Sequence, residues 1–162
     1  MRARAIVLIY GKGGHRAQME RLYARLKPGL DGRAVEVVGI CEDDHALKGF
    51  RSYSHPSVRD KHSLLKSLVT FPASILWSVS ITIRVVREYR VIGVVSTGPG
   101  IAVVPSILLK ITGARIVFLE TWARYETRSV TGRVMYRVAD RFYIQNPSLK
   151  KYYPKAIYGG LL

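Results

Sequence analysis

Short apolar runs alternate with longer mixed segments along the chain, and nearly every run closes on glycine or polar residues. That rhythm predicts βαβ units around a parallel sheet. Ala3–Tyr10 reads as a first strand, followed by Gly11-Lys12-Gly13-Gly14 and a helix over His15–Leu26, on which Met19, Leu22, Tyr23 and Leu26 recur at helical spacing. Pro28-Gly29 should end that helix. Valine-rich Ala34–Cys41 makes a second strand, and residues 42–62 form a long polar connection with His45, His55, Pro56 and His62, expected to be functional or partly disordered. A helix follows over 63–88, with a kink or restart expected at Pro72. Val91–Ser96 is a third strand, Ile101–Thr112 an apolar helix interrupted near Pro105, Arg115–Glu120 a fourth strand, Ser129–Ala139 a helix and Asp140–Gln145 a fifth strand. The tail from Asn146, with Pro147, Pro154 and Gly159-Gly160, should lack long regular structure. The expected division is an α/β, parallel-sheet domain over 1–150 and a tail over 151–162.

Composition adds a partner to this picture. The 162 residues are 48% hydrophobic, enough for one domain with a core, which excludes intrinsically disordered, collagen-like and disulfide-scaffold classes. Lys and Arg number 26 against 11 Asp and Glu, a net charge of +15, so the partner is expected to be anionic: nucleic acid, a phosphorylated ligand or an acidic membrane surface. The excess is uneven, with 11 basic and 7 acidic residues before position 61 and 15 basic and 4 acidic from it onward. Cys41 is the single cysteine and cannot form an intrachain disulfide, which suits a reducing compartment. The apolar run Ala5 to Tyr10 is too short for a signal sequence or a membrane span.

Two glycine loops carry the candidate chemistry. Gly11, Gly13 and Gly14 join a strand to a helix, where free backbone N–H groups and the helix dipole favour a phosphate. The third glycine of a dinucleotide fingerprint would fall on Arg16, and no P-loop is present. His15, at the helix start, is placed either to contact a phosphate or to take a proton as a general base. The second loop, Ser96-Thr97-Gly98-Pro99-Gly100, also follows a strand, and in an open parallel sheet both loops fall on the same edge. Each could equally be a tight turn and nothing more. Glu120 falls on that edge too, ahead of Trp122, Arg124 and Glu126; it could bind sugar hydroxyls, orient the histidine or simply cap a helix. Arg133, Arg137 and Arg141 recur every four residues as a stripe without acidic i,i+4 partners, with Arg124 and Arg128 upstream and Lys150, Lys151 and Lys155 beyond. Ser67–Ile83 is a stretch of seventeen uncharged residues with Phe71, Leu76 and Trp77, flanked by Lys61, Lys66, Arg84, Arg87 and Arg90. It suits an interfacial membrane helix, with a buried core helix as the alternative and a span the less fitting reading.

The set Gly11-x-Gly13-Gly14-His15-x-x-Gln18-Met19, Ser96-Thr97-Gly98-Pro99-Gly100, Phe118-Leu119-Glu120-Thr121-x-Ala123-Arg124, Ser129-x-Thr131-Gly132, Ala139-Asp140-x-Phe142-x-x-Gln145 and Tyr158-Gly159-Gly160 resembles the family of membrane-anchor glycosyltransferase subunits. That family takes in the anchor subunit of the eukaryotic enzyme adding the second N-acetylglucosamine to dolichyl diphosphate, and the PssD-type exopolysaccharide proteins. The resemblance implies an α/β, Rossmann-like parallel sheet with flanking helices, the N-terminal half of a split GT-B enzyme. A separate C-terminal-half catalytic subunit would bind the UDP-sugar, UDP-N-acetylglucosamine or UDP-glucuronate among others. This chain would bind a polyprenyl-diphosphate-linked sugar at the cytoplasmic face of the membrane, and would be inactive alone.

By the same resemblance, Gly11, Gly13, Gly14, Thr97, Gly98 and Gly100 would face the acceptor diphosphate, His15 and Glu120 would be catalytic, and Trp122, Arg124 and Arg128 would contact acceptor or lipid. Phe71, Leu76, Trp77, Arg84 and Arg87 would meet the membrane and its acidic lipids. Tyr152, Tyr153, Tyr158 and Leu161 would dock on the partner. No cofactor, metal or nucleic acid is called for. The eukaryotic anchors carry an N-terminal transmembrane helix, whereas this chain opens at its first strand, so anchoring would rest on Ser67–Ile83 and the basic surface. The alternative from a different class is a basic nucleic-acid-binding α/β protein, although no helix-turn-helix, zinc or RNP-type pattern is present.

Overall fold

A computed structural model describes residues 2–42, 46–56 and 64–162, the side chains of 64–71 excepted. Among the described residues the order is β1 (Ala3–Tyr10), α1 (Gly14–Leu30), β2 (Glu36–Glu42), β3 (Arg51–His55), α2 (Leu64–Glu88), β4 (Tyr89–Ser96), α3 (Val103–Ile111), β5 (Arg115–Leu119), α4 (Val130–Val138), β6 (Arg141–Ile144) and β7 (Ile157–Tyr158). Short 3-10 turns lie at Gly100–Ala102 and Pro147–Lys151. All of these strands pair in parallel in one sheet, ordered β3-β2-β1-β4-β5-β6-β7.

A central parallel strand is buried on both faces, which is why β1 reads as an unbroken apolar run. Ala5, Val7 and Ile9 face one core with Ile81 and Val85 of α2, Leu109 of α3 and Met135 of α4. Leu8 and Tyr10 face a smaller one with Met19 of α1, Cys41 and Leu47. One sheet face thus carries three helices and the other carries α1. From β1 the chain steps outward to β2 and β3, then returns through α2 to the far side of β1 as β4. The loops after β1 and β4 therefore meet where the strand order reverses, the place where open α/β sheets form a ligand crevice.

Several expectations need correction. α1 continues through Pro28 to Leu30, because a proline this close to the end forfeits only one backbone bond. α2 runs unbroken past Pro72; packing of Ile81 and Val85 against the sheet outweighs the roughly 3 kcal/mol local cost. The polar connection after β2 contains β3, an edge strand whose polar residues Arg51, Ser52 and Ser54 hide its period. The tail has, as expected, no long regular structure: it holds a short 3-10 turn and the two-residue edge strand β7, which pairs with β6. The arginine stripe is divided: Arg133 and Arg137 lie on α4, whereas Arg141 opens β6. His45 and His62 lie outside the described residues.

Candidate functional site

The loop after β1 enters α1 through Gly13, whose φ of 60° and ψ of −125° suit glycine. No side chain caps the helix and no acidic residue lies in its first turn, which leaves its positive end open toward the crevice. Gly13 and Gly14 are exposed, while Gly11 is buried, where a Cβ would stand 3.0 Å from Glu42 Oε2 and 3.1 Å from Pro99 Cβ. Across the crevice, Thr97 and His15 clasp each other. Thr97 Oγ1 donates to the His15 carbonyl at 2.8 Å, and His15 Nδ1 lies 2.6 Å from the Thr97 carbonyl oxygen. A carbonyl can only accept, so Nδ1 carries a proton, and in the neutral tautomer that this contact selects the lone pair is on Nε2. Gly98, with φ of 99°, packs beneath this ring; a Cβ there would stand 3.3 Å from His15 Cε1. Gly100 is exposed at the start of the following turn.

Trp122 completes this edge, its indole nitrogen 3.7 Å from where a Gly14 Cβ would sit. The Arg21 guanidinium covers the ring at 5.1 Å and donates to the Leu162 carbonyl at 2.9 Å. Asn146 holds the 120s loop in shape by donating from Nδ2 to the carbonyls of Trp122 (3.0 Å) and Arg124 (2.6 Å). Arg124 donates to Thr127 at 2.8 Å and Arg128 lies over the Tyr152 ring at 5.7 Å, so the contacts of these two arginines are not with the glycine loops.

Glu120 is placed differently from the expectation. It is fully buried, and its carboxylate accepts from Thr121 N at 3.1 Å, Ser129 Oγ at 2.9 and 3.0 Å, and Tyr153 OH at 2.9 Å. Burial first, then the Glu120 charge, pushes the Tyr153 hydroxyl's pKa well up, so it stays a donor. Gly132 is the residue that makes room, since a Cβ there would fall 1.9 Å from Glu120 Oε2. Ser129 ties the cluster to α4 by accepting from Gly132 N at 2.7 Å as the helix cap. Direct contact with a bound sugar does not fit a carboxylate enclosed in this way. Tyr153 is corrected on the same ground: at 1% exposure it cannot present its ring to a partner. The sequence contained Ser129 and Gly132 as motif residues, but only the fold shows that they serve Glu120.

Of the remaining expected residues, Leu76 (70% exposed), Trp77 (46%), Arg84 and Arg87 lie outward on α2, and the Phe71 side chain lies outside the described set. Tyr158 and Leu161 are exposed and Tyr152 is half-buried. Among the described residues no helix is long and apolar enough to cross a membrane, and no three His, Cys, Asp or Glu side chains gather to hold a metal ion.

A parallel sheet with this strand order and a glycine-lined crevice at its reversal defines a Rossmann-like domain of the GT-B type. Solved structures agree: MurG of Acinetobacter baumannii superposes with a TM-score of 0.61 at 11% identity, over 90% of this chain and 42% of that one. A UDP-N-acetylglucosamine 2-epimerase gives 0.65 at 9% identity, over 95% and 45%. The chain thus spans less than half the length of either. The family model described as "Oligosaccharide biosynthesis protein Alg14 like" matches residues 6–162, and the chain belongs to that family. Curated relatives named UDP-N-acetylglucosamine transferase subunit ALG14 are 28% identical in Rattus norvegicus (96% of this chain, 81% of the relative). The Saccharomyces cerevisiae relative is 28% identical (97% and 76%) and the Homo sapiens one 26% (96% and 82%).

Proposed function

We propose that this chain is the membrane-associated, acceptor-binding N-terminal half of a two-chain UDP-sugar glycosyltransferase that builds a polyprenyl-diphosphate-linked saccharide. The observation that carries the reading is the His15–Thr97 clasp, which leaves a free Nε2 lone pair beside an uncapped helix N-terminus and two glycine loops. The exposed glycine backbone and the positive helix end suit a diphosphate. His15 Nε2 suits the acceptor hydroxyl: it takes the hydroxyl proton as the oxygen bonds to the sugar anomeric carbon and the bond from that carbon to UDP breaks. Trp122 offers a flat apolar surface for a sugar ring. Glu120 acts from behind, fixing the 120s loop to α4.

Family membership and the relatives' names, each that of a transferase subunit, support a separate subunit for the UDP-sugar, UDP-N-acetylglucosamine being the donor that those names favour. The outer faces of α2, α3 and α4 expose Leu76, Trp77, Ile83, Ile107, Ile111 and Val130, an apolar surface among basic residues that supports contact with an acidic bilayer at its cytoplasmic face.

Co-expression with a GT-B C-terminal-half chain should yield a complex transferring sugar from the UDP donor to a polyprenyl-diphosphate-linked acceptor. His15→Ala in that complex should lower kcat by about 10²–10⁴-fold with little change in acceptor KM. Full-rate transfer by the isolated chain would refute the two-subunit reading. A His15→Ala effect confined to KM would reduce His15 to a binding contact.

A further inference from the structure

We propose that the groove between α4 and the Tyr152–Lys155 turn is a phosphate-binding site, separate from the glycine-lined crevice. An open cavity of about 760 Å³ lies there, with Arg128, Arg133, Arg137 and Lys155 in its lining. None of the residues lining it belongs to the two glycine loops, and the inference does not rest on the transferase reading.

The four cations are gathered by the register of α4 and by aromatic packing. Gly132 and Met135 turn inward, which leaves Arg133 and Arg137, one turn apart, on the outer face. Tyr136 OH accepts from Lys155 N at 2.8 Å and so ties the tail to the helix. Tyr136 packs on Tyr153 at 5.0 Å and on Phe142 at 5.2 Å, which gives the groove a fixed floor. Arg128 is steadied over the Tyr152 ring, with Lys151 4.9 Å from the same ring.

Among the described residues no carboxylate forms an ion pair with these cations, and the ion pairs involve Arg16, Arg51, Lys110 and Arg115. The Arg137 guanidinium donates to the Arg133 carbonyl at 3.2 Å, an internal helix contact that leaves its charge uncompensated. Asp140 lines the cavity but is committed elsewhere, accepting from Ile116 N at 2.7 Å and from Lys110 Nζ at 3.1 Å. Several like charges held around one concave surface raise a field that an anion relieves. Guanidinium forks match phosphate oxygens in pairs, which favours a phosphate over a simple halide.

The phosphate has two possible sources: a soluble phosphorylated molecule, or the headgroup of an acidic lipid. Val130 and Val134 are exposed on the same outward side of α4 as the arginines, so both routes are open. The test uses the full chain, with inorganic pyrophosphate followed by calorimetry, and with phosphatidylcholine vesicles with and without phosphatidylglycerol followed by flotation. Arg133→Gln/Arg137→Gln is compared with Arg25→Gln/Arg33→Gln, which removes the same charge from exposed positions outside the cavity. The groove pair should weaken binding of at least one probe by about tenfold or more, and the control pair by less than about twofold. Loss for pyrophosphate identifies a soluble ligand, and loss for phosphatidylglycerol vesicles alone identifies a lipid. Equal losses in both pairs would mean a diffuse field and no site. Failure of the wild-type chain to bind either probe would also overturn the proposal. All four substituted side chains are exposed, and unchanged melting temperatures will show that the variants are folded.

Discussion

Gly132→Ala sets two physical effects against each other. In a helix interior alanine is favoured over glycine by about 1 kcal/mol, so local propensity alone forecasts a more stable protein. At this position the new Cβ would stand 1.9 Å from Glu120 Oε2, 2.6 Å from Tyr153 OH and 2.7 Å from Ser129 Oγ. Each is the tip of a side chain, but none can swing aside freely, because Glu120 is enclosed, Tyr153 is buried and Ser129 caps α4. Moving the carboxylate breaks its bonds with Tyr153 and Ser129, each about 1.5–3 kcal/mol for a charged acceptor. Set against the propensity gain, the net cost is about 2–5 kcal/mol, or a melting temperature lower by about 4–20 °C for a domain of this size. Thermal melts followed by circular dichroism measure this. Glu120→Ala should also destabilise, by leaving the Tyr153 hydroxyl without its acceptor, but the double variant should cost less than the two singles together, since the tightest of the three clashes is then gone and Tyr153 and Ser129, no longer held by the carboxylate, can shift. A Gly132→Ala protein as stable as the wild type, or strict additivity in that cycle, would refute the reading of Glu120 as a buried structural carboxylate.

Two further outcomes follow from other parts of the fold. Leu76→Ser/Trp77→Ser should leave the melting temperature unchanged, since both side chains are exposed, yet weaken flotation on phosphatidylcholine vesicles by about tenfold or more through lost apolar insertion; unchanged flotation would rule out α2 as the contact. Asp140 is held below its ordinary carboxyl value of 3.8, chiefly by the Ile116 N–H bond and then by Lys110. A depressed folded pKa gives stability that is present above 3.8 and is lost as pH falls through the folded value. The urea midpoint of the wild type should therefore decline more steeply on acidification than that of Asp140→Asn, and parallel declines would contradict this.

Where burial on both faces dictated residue type, the fold was legible in the sequence. β1, β4 and β5 are continuous apolar runs because helices or loops cover them on each side. β3 and β7 escaped for the opposite reason: an edge strand pairs on one side only, and Arg51–His55 and Ile157–Tyr158 carry little periodicity to detect. Pro28 and Pro72 misled because local cost was read without the tertiary packing that overrides it. The glycine loops and His15 are visible in the sequence because glycine at a strand end and a side chain at the helix start are both read from short spacing. That Glu120 faces inward was not visible, because a carboxylate placed after a strand has the same spacing whether it meets solvent or a tyrosine 33 positions later.

The parallel α/β class, the two glycine loops and the excess of positive charge are properties of residue types at short spacing, and are written in the chain. Folding is what commits His15 Nδ1, and not Nε2, to Thr97, opens a place for Glu120 at Gly132 and brings Arg128, Arg133, Arg137 and Lys155 around one groove. Those outcomes depend on contacts between segments far apart in the chain, where distance and direction decide which groups meet, and no local pattern encodes them.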